Sequence, residues 1–131
     1  MTDISAAIGR EQLKKLPGFN ARRREIAEMY NSELSELVMI PKNRRGHVFH
    51  QYTIRCDRRD DLRNFLLERK INTGIYYPTL LYNYPSMSSY QSSCQNAESL
   101  IKEVLSLPVH PALSDSDVFE VISSIKAFFK E

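Results

Sequence analysis

One segment of this chain alternates so regularly that it is predicted to be a β-strand. In HVFHQYTIRC, β-branched and aromatic residues recur with a period of two. This alternation puts Val48, His50, Tyr52, Ile54 and Cys56 on one face of the strand. The sequence on either side shows a helical period instead, so the fold has to combine a small amount of sheet with helices.

Apolar residues at helical spacing predict five helices. The first two cover residues 3–16 and 19–37 and are separated by Pro17 and Gly18, which break helices. The other three are a helix capped by Asp57 with Asp60 in a capping box, a helix over 96–104, and a helix that opens at Ser114 with Asp117 three positions later.

Two short extended segments complete the predicted sheet. They are Asn72–Ile75 and Leu105–Leu107, and they join the first strand, Val48–Arg55. The mixture predicts an α/β fold in two layers, with a small, mostly antiparallel sheet of about three strands packed against helices. A chain of 131 residues is one domain, or a large piece of a bigger one.

Composition excludes several classes of protein. Hydrophobic residues make up 42% and charged residues 26% of the chain, as in ordinary globular domains. Apolar runs stay well short of the ~20 residues of a membrane helix, and the N-terminus does not resemble a secretory leader. We therefore expect a cytoplasmic protein with reduced thiols at Cys56 and Cys94. The net charge of +2 is small for a nucleic-acid binder.

The sequence lacks the common motifs of metal, phosphate-binding and nucleophilic sites. The histidines do not have the spacing of metal ligands, and neither a phosphate-binding glycine loop nor a nucleophile elbow is present. His50 has two interpretations: a core or edge histidine with a backbone partner, or a polar group at the mouth of a site, where it would contact the substrate. Basic runs at 22–24, 44–45 and 58–59 favour solvated helix faces with acidic partners, such as Glu28 for Arg24 and Asp60 for Arg63.

A tyrosine-rich segment is the strongest functional signal that the residues themselves give. YYPTLLYNYPSMSSYQSSC has neither helical nor strand period, and long structureless loops in compact domains tend to be functional. Tyrosine suits a contact surface because it joins an apolar ring to a hydroxyl group. The segment is either such a surface or a loop packed on its own domain. Its five tyrosines are Tyr76, Tyr77, Tyr82, Tyr84 and Tyr90.

Several motifs, in order along the chain, resemble one family. MTDISAAIGREQLKKL is similar to the "A-A-l-G-x-x-Q-L" stretch of the DegT/DnrJ/StrS-type sugar aminotransferases, and ARRREIAEMYNSEL, FHQYTIR and RDDLRNFLLERKINTGIYYP continue the match. AESL and LSLPVHPALSDSDVFEVISSI resemble the end of the family pattern. Each piece is weak alone, but together they cover almost the whole chain.

The resemblance implies a fragment of a larger enzyme. Members of this family depend on pyridoxal phosphate and have fold type I, and their catalytic lysine, pyridine-facing aspartate and phosphate-binding serines precede the matched region. The chain is therefore expected to be the small C-terminal domain, residues 1–131, with a helical segment at 1–37 that packs on a missing N-terminal domain. The implied partners are that domain, a second subunit of a homodimer and a nucleotide-linked keto-sugar.

The same resemblance suggests which residues meet the sugar. Tyr77 matches the tyrosine of the family's H-Y-P element, and Tyr76 and Tyr82 occupy positions where the family usually has histidine. Lys70 stands where the family often has glycine. The fragment itself is expected to bind neither pyridoxal phosphate nor metal and to lack catalysis. The alternative is a non-enzymatic regulatory or interaction module. A protein whose natural start is Met1 would favour this alternative.

Overall fold

The computed structural model describes residues 1–90 and 92–130. It contains four α-helices, two short 3-10 turns and one small sheet. The helices are α1 (Asp3–Leu34), α2 (Arg59–Glu68), α3 (Gln95–Glu103) and α4 (Asp115–Phe128), the strands are β1 (Tyr52–Arg55) and β2 (Val104–Leu107), and the 3-10 turns are Leu81–Asn83 and Pro85–Met87.

The sheet is antiparallel and small. Tyr52 of β1 pairs with Leu107 of β2, and the ladder continues to the pair of Arg55 and Val104. A single bridge from Met39 extends the sheet beyond β1, and a single bridge from Gly74 extends it beyond β2. The predicted α/β class is thus confirmed, but the predicted strand at 72–75 was wrong, because only Gly74 pairs there.

The core lies between the sheet and the helices. Tyr52 and Ile54 of β1 are fully buried, and so is Tyr30 of α1, whose ring lies 4.9 Å from that of Tyr52. Helix α4 packs against α1 and α2 through a stripe of apolar residues at helical spacing. Its buried apolar residues are Val118, Val121, Ile122, Ile125 and Phe128. The predicted capping box of Ser114 and Asp117 is present, and contacts to Ser114 lower the pKa of the Asp117 carboxyl.

The predicted break near residue 17 was wrong. Helix α1 runs through Pro17 without interruption. Proline removes one donor to the preceding turn, but Pro17 and Gly18 are exposed, so the carbonyl that loses its partner meets solvent. Good helix formers on both sides then carry the helix across this position.

The predicted orientation of His50 was also wrong. Phe49 adopts a left-handed backbone angle of +46° and buries its ring, so the chain turns before β1 begins. Alternating burial starts only at Tyr52, and both Val48 and His50 are exposed. A pattern of residue types could not reveal this turn, because phenylalanine rarely takes that conformation.

The start of α2 differs from the predicted capping box. The helix begins at Arg59, and its N-cap residue, Arg58, makes no side-chain cap. Asp60 lies against Arg59 at 2.7 Å instead, so the predicted pair of Asp60 with Arg63 was wrong. The predicted pair of Arg24 with Glu28 was wrong too, since Arg24 donates to the carbonyl of His47.

Lys70, which stands where the family often has glycine, lies at the C-terminal end of α2. Lys70 follows the C-cap Arg69 with a φ of +61°, and the N–H of Ile71 donates to the carbonyl of Leu66 at 2.9 Å. This is the helix terminus at which glycine is favoured, because a Cβ atom is strained there. The difference from the family at Lys70 therefore affects the backbone conformation at the end of this helix.

We expect Lys70→Gly to stabilise the chain by about 1 kcal/mol, because glycine removes the strain of the left-handed conformation. Arg63→Gly, in the exposed interior of the same helix, should destabilise it by about 1 kcal/mol. Urea denaturation of both variants measures the two changes. Equal destabilisation by both substitutions would contradict the assignment of Lys70 to a strained helix end.

Candidate functional site

The tyrosine-rich segment folds over helix α3. Its two 3-10 turns, Leu81–Asn83 and Pro85–Met87, give it more local structure than the sequence predicted. The hydroxyl of Tyr82 donates to Oε1 of Glu98 at 2.7 Å, and the N–H of Cys94 donates to the same oxygen at 3.2 Å. Glu98 on α3 thus fastens the middle and the end of the segment, which we call the tyrosine loop (residues 76–90 and 92–94).

An apolar cavity of about 700 Å³ lies between the tyrosine loop and α3. Its lining residues are uncharged, and hydroxyl groups come only from Thr79 and from three tyrosines. A cavity of this size and character suits a small molecule or an apolar segment of chain. It is lined by Tyr76, Tyr77, Thr79, Leu80, Leu81, Tyr84, Ala97, Leu100, Ile101 and Val104.

The sheet edge fixes the start of the tyrosine loop. Gly74 exchanges two backbone hydrogen bonds with Ser106, at 2.7 and 3.0 Å. The ring of Tyr76 folds back over Gly74, where a Cβ atom would lie 2.6 Å from Cε2 of the ring. Only glycine allows this close approach. The Tyr76–Tyr77 peptide bond is cis, and the two ring centroids are 5.8 Å apart.

A second depression of about 350 Å³ adjoins the cavity. Tyr76 lines both, and His50, Asn72 and Ser106 line the second one. Three of the residues predicted to meet a substrate, Tyr76, Tyr77 and His50, are therefore brought to one surface of the domain.

Tyr82 is the exception among the predicted site residues. It lines neither depression, and its hydroxyl is bonded to Glu98. Sequence reasoning missed Glu98 and the apolar wall of α3. The spacing of Glu98 four residues after Cys94 was the available signal, because a helical residue can reach back to the N–H groups that precede its helix.

The Glu98 carboxylate raises the pKa of the Tyr82 phenol, chiefly by accepting its hydrogen bond, with desolvation adding to the effect. We expect Glu98→Gln to lower that pKa, since a neutral amide does not repel the phenolate. A pH titration of the Tyr82 ring carbon shifts by NMR, in the wild-type chain and in the variant, measures the change. An unchanged Tyr82 titration would show that the bond to Glu98 is not formed in solution.

The sequence pattern of the DegT/DnrJ/EryC1/StrS aminotransferase family matches residues 1–126. The chain belongs to this family. Among curated relatives it is 37% identical over 139 residues to the pleiotropic regulatory protein of Geobacillus stearothermophilus, and 34% identical over 138 residues to GDP-perosamine synthase of Escherichia coli O157:H7. These alignments cover 99% and 100% of the chain but only 37% of each relative.

Solved structures of family members share the fold. DesV of S. venezuelae, in complex with a ketimine intermediate, superposes with a TM-score of 0.90 at 32% identity, over 96% of this chain and 36% of DesV. The aminotransferase TlmJ of Streptoalloteichus hindustanus also gives 0.90, at 36% identity, over 98% of this chain and 36% of TlmJ. The aminotransferase-type domain expected from the motifs is thereby confirmed.

Pyridoxal phosphate is the cofactor that the family implies, and NtdA of Bacillus subtilis, at 26% identity, was solved with bound PMP. The lining of the apolar cavity does not fit that cofactor. Six lysines are exposed, and Lys126 pairs with Glu33. The lining of the apolar cavity contains neither an amine that could form an imine with the cofactor nor a carboxylate that could pair with its pyridine nitrogen.

No helix in the described residues is long and apolar enough to cross a membrane. Within the same residues, His, Cys, Asp and Glu side chains do not form a group that could hold a metal ion. Cys56 is buried and Cys94 is exposed, and both are free thiols.

Proposed function

We propose that the chain is the small C-terminal domain of a pyridoxal-phosphate-dependent nucleotide-sugar aminotransferase. The observation that carries the proposal is the family match over residues 1–126, combined with a coverage of 37% of relatives such as GDP-perosamine synthase. The parent enzyme is proposed to be a cytoplasmic homodimer that passes an amino group to a nucleotide-linked keto-sugar. The cofactor, when bound in the parent, supplies an electron sink for that transfer.

The first half of α1 supports a role in docking on a large domain. Ile4 and Ile8 are 74% and 58% exposed, although the same helix face is fully buried farther along, at Ile26 and Tyr30. An apolar face that is covered along only half of the length of a helix is what a domain boundary leaves behind. We propose that the missing N-terminal domain, and a second subunit, cover the rest.

The tyrosine loop supports a role on the substrate side. Tyr76 and Tyr77 present exposed rings with hydroxyl groups beside the two depressions, and His50 adds a polar edge. Rings of this kind pack on the apolar face of a sugar, while their hydroxyls bond its polar groups. We propose that these three residues orient the keto-sugar, and that Tyr82 contributes by holding the loop on Glu98.

The proposal is tested by expressing the complete reading frame and assaying amino transfer from glutamate to nucleotide-linked keto-sugars. In that protein, Tyr77→Phe should lower kcat/KM by about tenfold, since one hydrogen bond to the substrate is lost. Tyr90→Phe, in the same loop but outside both cavity linings, is the matched control and should leave the rate unchanged. Failure to transfer an amino group to any such sugar would contradict the proposed function.

A second function rests on the relatives that are named as regulators. The chain is 37% identical to a pleiotropic regulatory protein and 34% identical to the erythromycin biosynthesis sensory transduction protein EryC1 of Saccharopolyspora erythraea. A non-enzymatic regulatory or interaction module is therefore the alternative. A complete protein that binds a macromolecular partner but does not turn over amino donor and keto-sugar would favour it.

A further inference from the structure

Two basic runs that are distant in sequence meet on the surface of the domain. The Nε–H group of Arg24 on α1 donates to the carbonyl of His47 at 3.1 Å. The N–H of His47 in turn donates to the carbonyl of Arg44 at 3.0 Å, which closes a turn. The turn that carries Arg44 and Arg45, with Lys42 two residues before it, is thereby fastened to Arg24 of α1. We call this group, with Arg24, the basic patch.

The basic patch keeps its positive charge. Its four cations are exposed, and none of them has an ion-pair partner among residues 1–90 and 92–130. Arg22 and Arg55, by contrast, are neutralised by Asp115 and Glu103, both at 2.7 Å. Three cations within residues 42–45, linked to a fourth at Arg24, are a local excess of positive charge in a chain with a net charge of only +2, and such an excess favours an anion.

The patch adjoins the substrate side of the domain. His50, which lines the second depression, follows His47 by three residues, so their Cα atoms are at most ~11 Å apart. The ring of His47 also lies 4.2 Å from that of Phe49, which fixes the turn beside β1. An anion on the patch is therefore within reach of a molecule that occupies the depression of His50 and Tyr76.

Arginine matches phosphate geometry. A guanidinium group presents its donors as a planar fork to phosphate oxygens, and such contacts are stronger than bonds between neutral groups. A nucleotide-linked sugar carries a diphosphate next to its sugar ring. We infer that the basic patch of Arg24, Lys42, Arg44 and Arg45 binds the diphosphate of the substrate, an inference that rests on the proposed function.

The test is NMR titration of the 131-residue chain with inorganic pyrophosphate, uridine diphosphate and uridine. We expect saturable shifts of the amides at 42–47 and of the Arg24 Nε–H with the first two probes and none with uridine. Binding should weaken steeply as salt rises from about 50 to about 500 mM. Shifts with uridine alone, or shifts confined to residues outside the patch, would overturn the inference.

Two variants that each lose two positive charges distinguish binding at the patch from a general effect of net charge. Arg44→Gln/Arg45→Gln should weaken binding of uridine diphosphate by at least about tenfold, whereas Arg63→Gln/Lys130→Gln should change it less than about twofold. Equal weakening by both would overturn the inference, and so would a preference for single-stranded nucleic acid at equal phosphate concentration. Thermal unfolding of each variant verifies that the fold is retained.

Activity assays of the complete protein distinguish failure of this inference from failure of the proposed function. An active aminotransferase whose KM is unchanged by Arg44→Gln/Arg45→Gln would overturn the patch and leave the function standing. Loss of the function with diphosphate binding intact would support the patch as an anion site and remove the aminotransferase assignment.

Discussion

The isolated 131-residue chain should self-associate through the first half of helix α1. Ile4, Ile8, Leu16 and Phe19 are between 37% and 74% exposed, and at about 100° per residue they fall on one side of the helix. Exposed apolar side chains on one side of a helix favour association when no partner covers them. Sedimentation equilibrium should therefore show dimers or larger species.

Replacing two of these residues should reverse the effect. We expect Ile4→Gln/Ile8→Gln to weaken association by at least about tenfold, because burying one isoleucine contributes about 1.5–3 kcal/mol. Arg10→Gln/Lys14→Gln places the same residue type on the opposite side of the helix and should leave association unchanged. A wild-type chain that stays monomeric at high concentration, or equal effects of both variants, would contradict the docking role of this helix half.

The largest loss of stability is expected at a buried arginine. The Arg59 side chain is only 10% exposed. Its Nη1 group donates to the carbonyls of Ile101 and Val104, at 3.2 and 3.1 Å. These carbonyls lie at the C-terminal end of α3, where helices have unpaired acceptors. Arg59 therefore joins α2 to the wall of the apolar cavity. Its Nε lies 2.7 Å from Asp60, but the N–H does not point at that oxygen, so the contact is an ion pair only.

We expect Arg59→Ala to lower the free energy of unfolding by about 3 kcal/mol, because it leaves two carbonyls without a donor and opens a cavity. Arg59→Lys should recover less than half of this, since an ammonium group lacks the planar fork. Arg63→Ala, exposed on the same helix, should change stability by less than about 0.5 kcal/mol. Urea denaturation compares the three, and equal values for Arg59→Ala and Arg63→Ala would refute the role of Arg59.

The sequence predicted those elements that depend on local pattern. The stripe of α4 and its capping box at Ser114 are readable because spacing and cap chemistry lie within a few residues. The conformation of Phe49 was not readable, since it depends on a buried ring that contacts distant parts of the chain. The predicted strand at 72–75 failed for a similar reason: only the approach of Ser106 decides which residue pairs.

The candidate site, too, was predictable where it depends on local sequence and not where it depends on distant contacts. Composition identified the tyrosine loop, and the family resemblance singled out Tyr76 and Tyr77 within it. The contact of Tyr82 with Glu98 and the packing of the loop against the apolar wall of α3 are tertiary contacts, and the spacing of Glu98 from Cys94 signals only the local bond between those two residues. The basic patch was missed because helical spacing favoured Glu28 as the partner of Arg24, whereas a carbonyl more than twenty residues away takes that donor.

Borohydride trapping of the complete protein with pyridoxal phosphate, followed by peptide mapping, tests most directly whether this chain is the non-catalytic domain of such an enzyme. We predict stoichiometric label on one lysine outside the 131 residues, and only scattered, substoichiometric label on exposed lysines such as Lys14, Lys15 and Lys42. Stoichiometric label on one lysine within these residues at low cofactor concentration would contradict the account, because the cofactor would then be held by this domain.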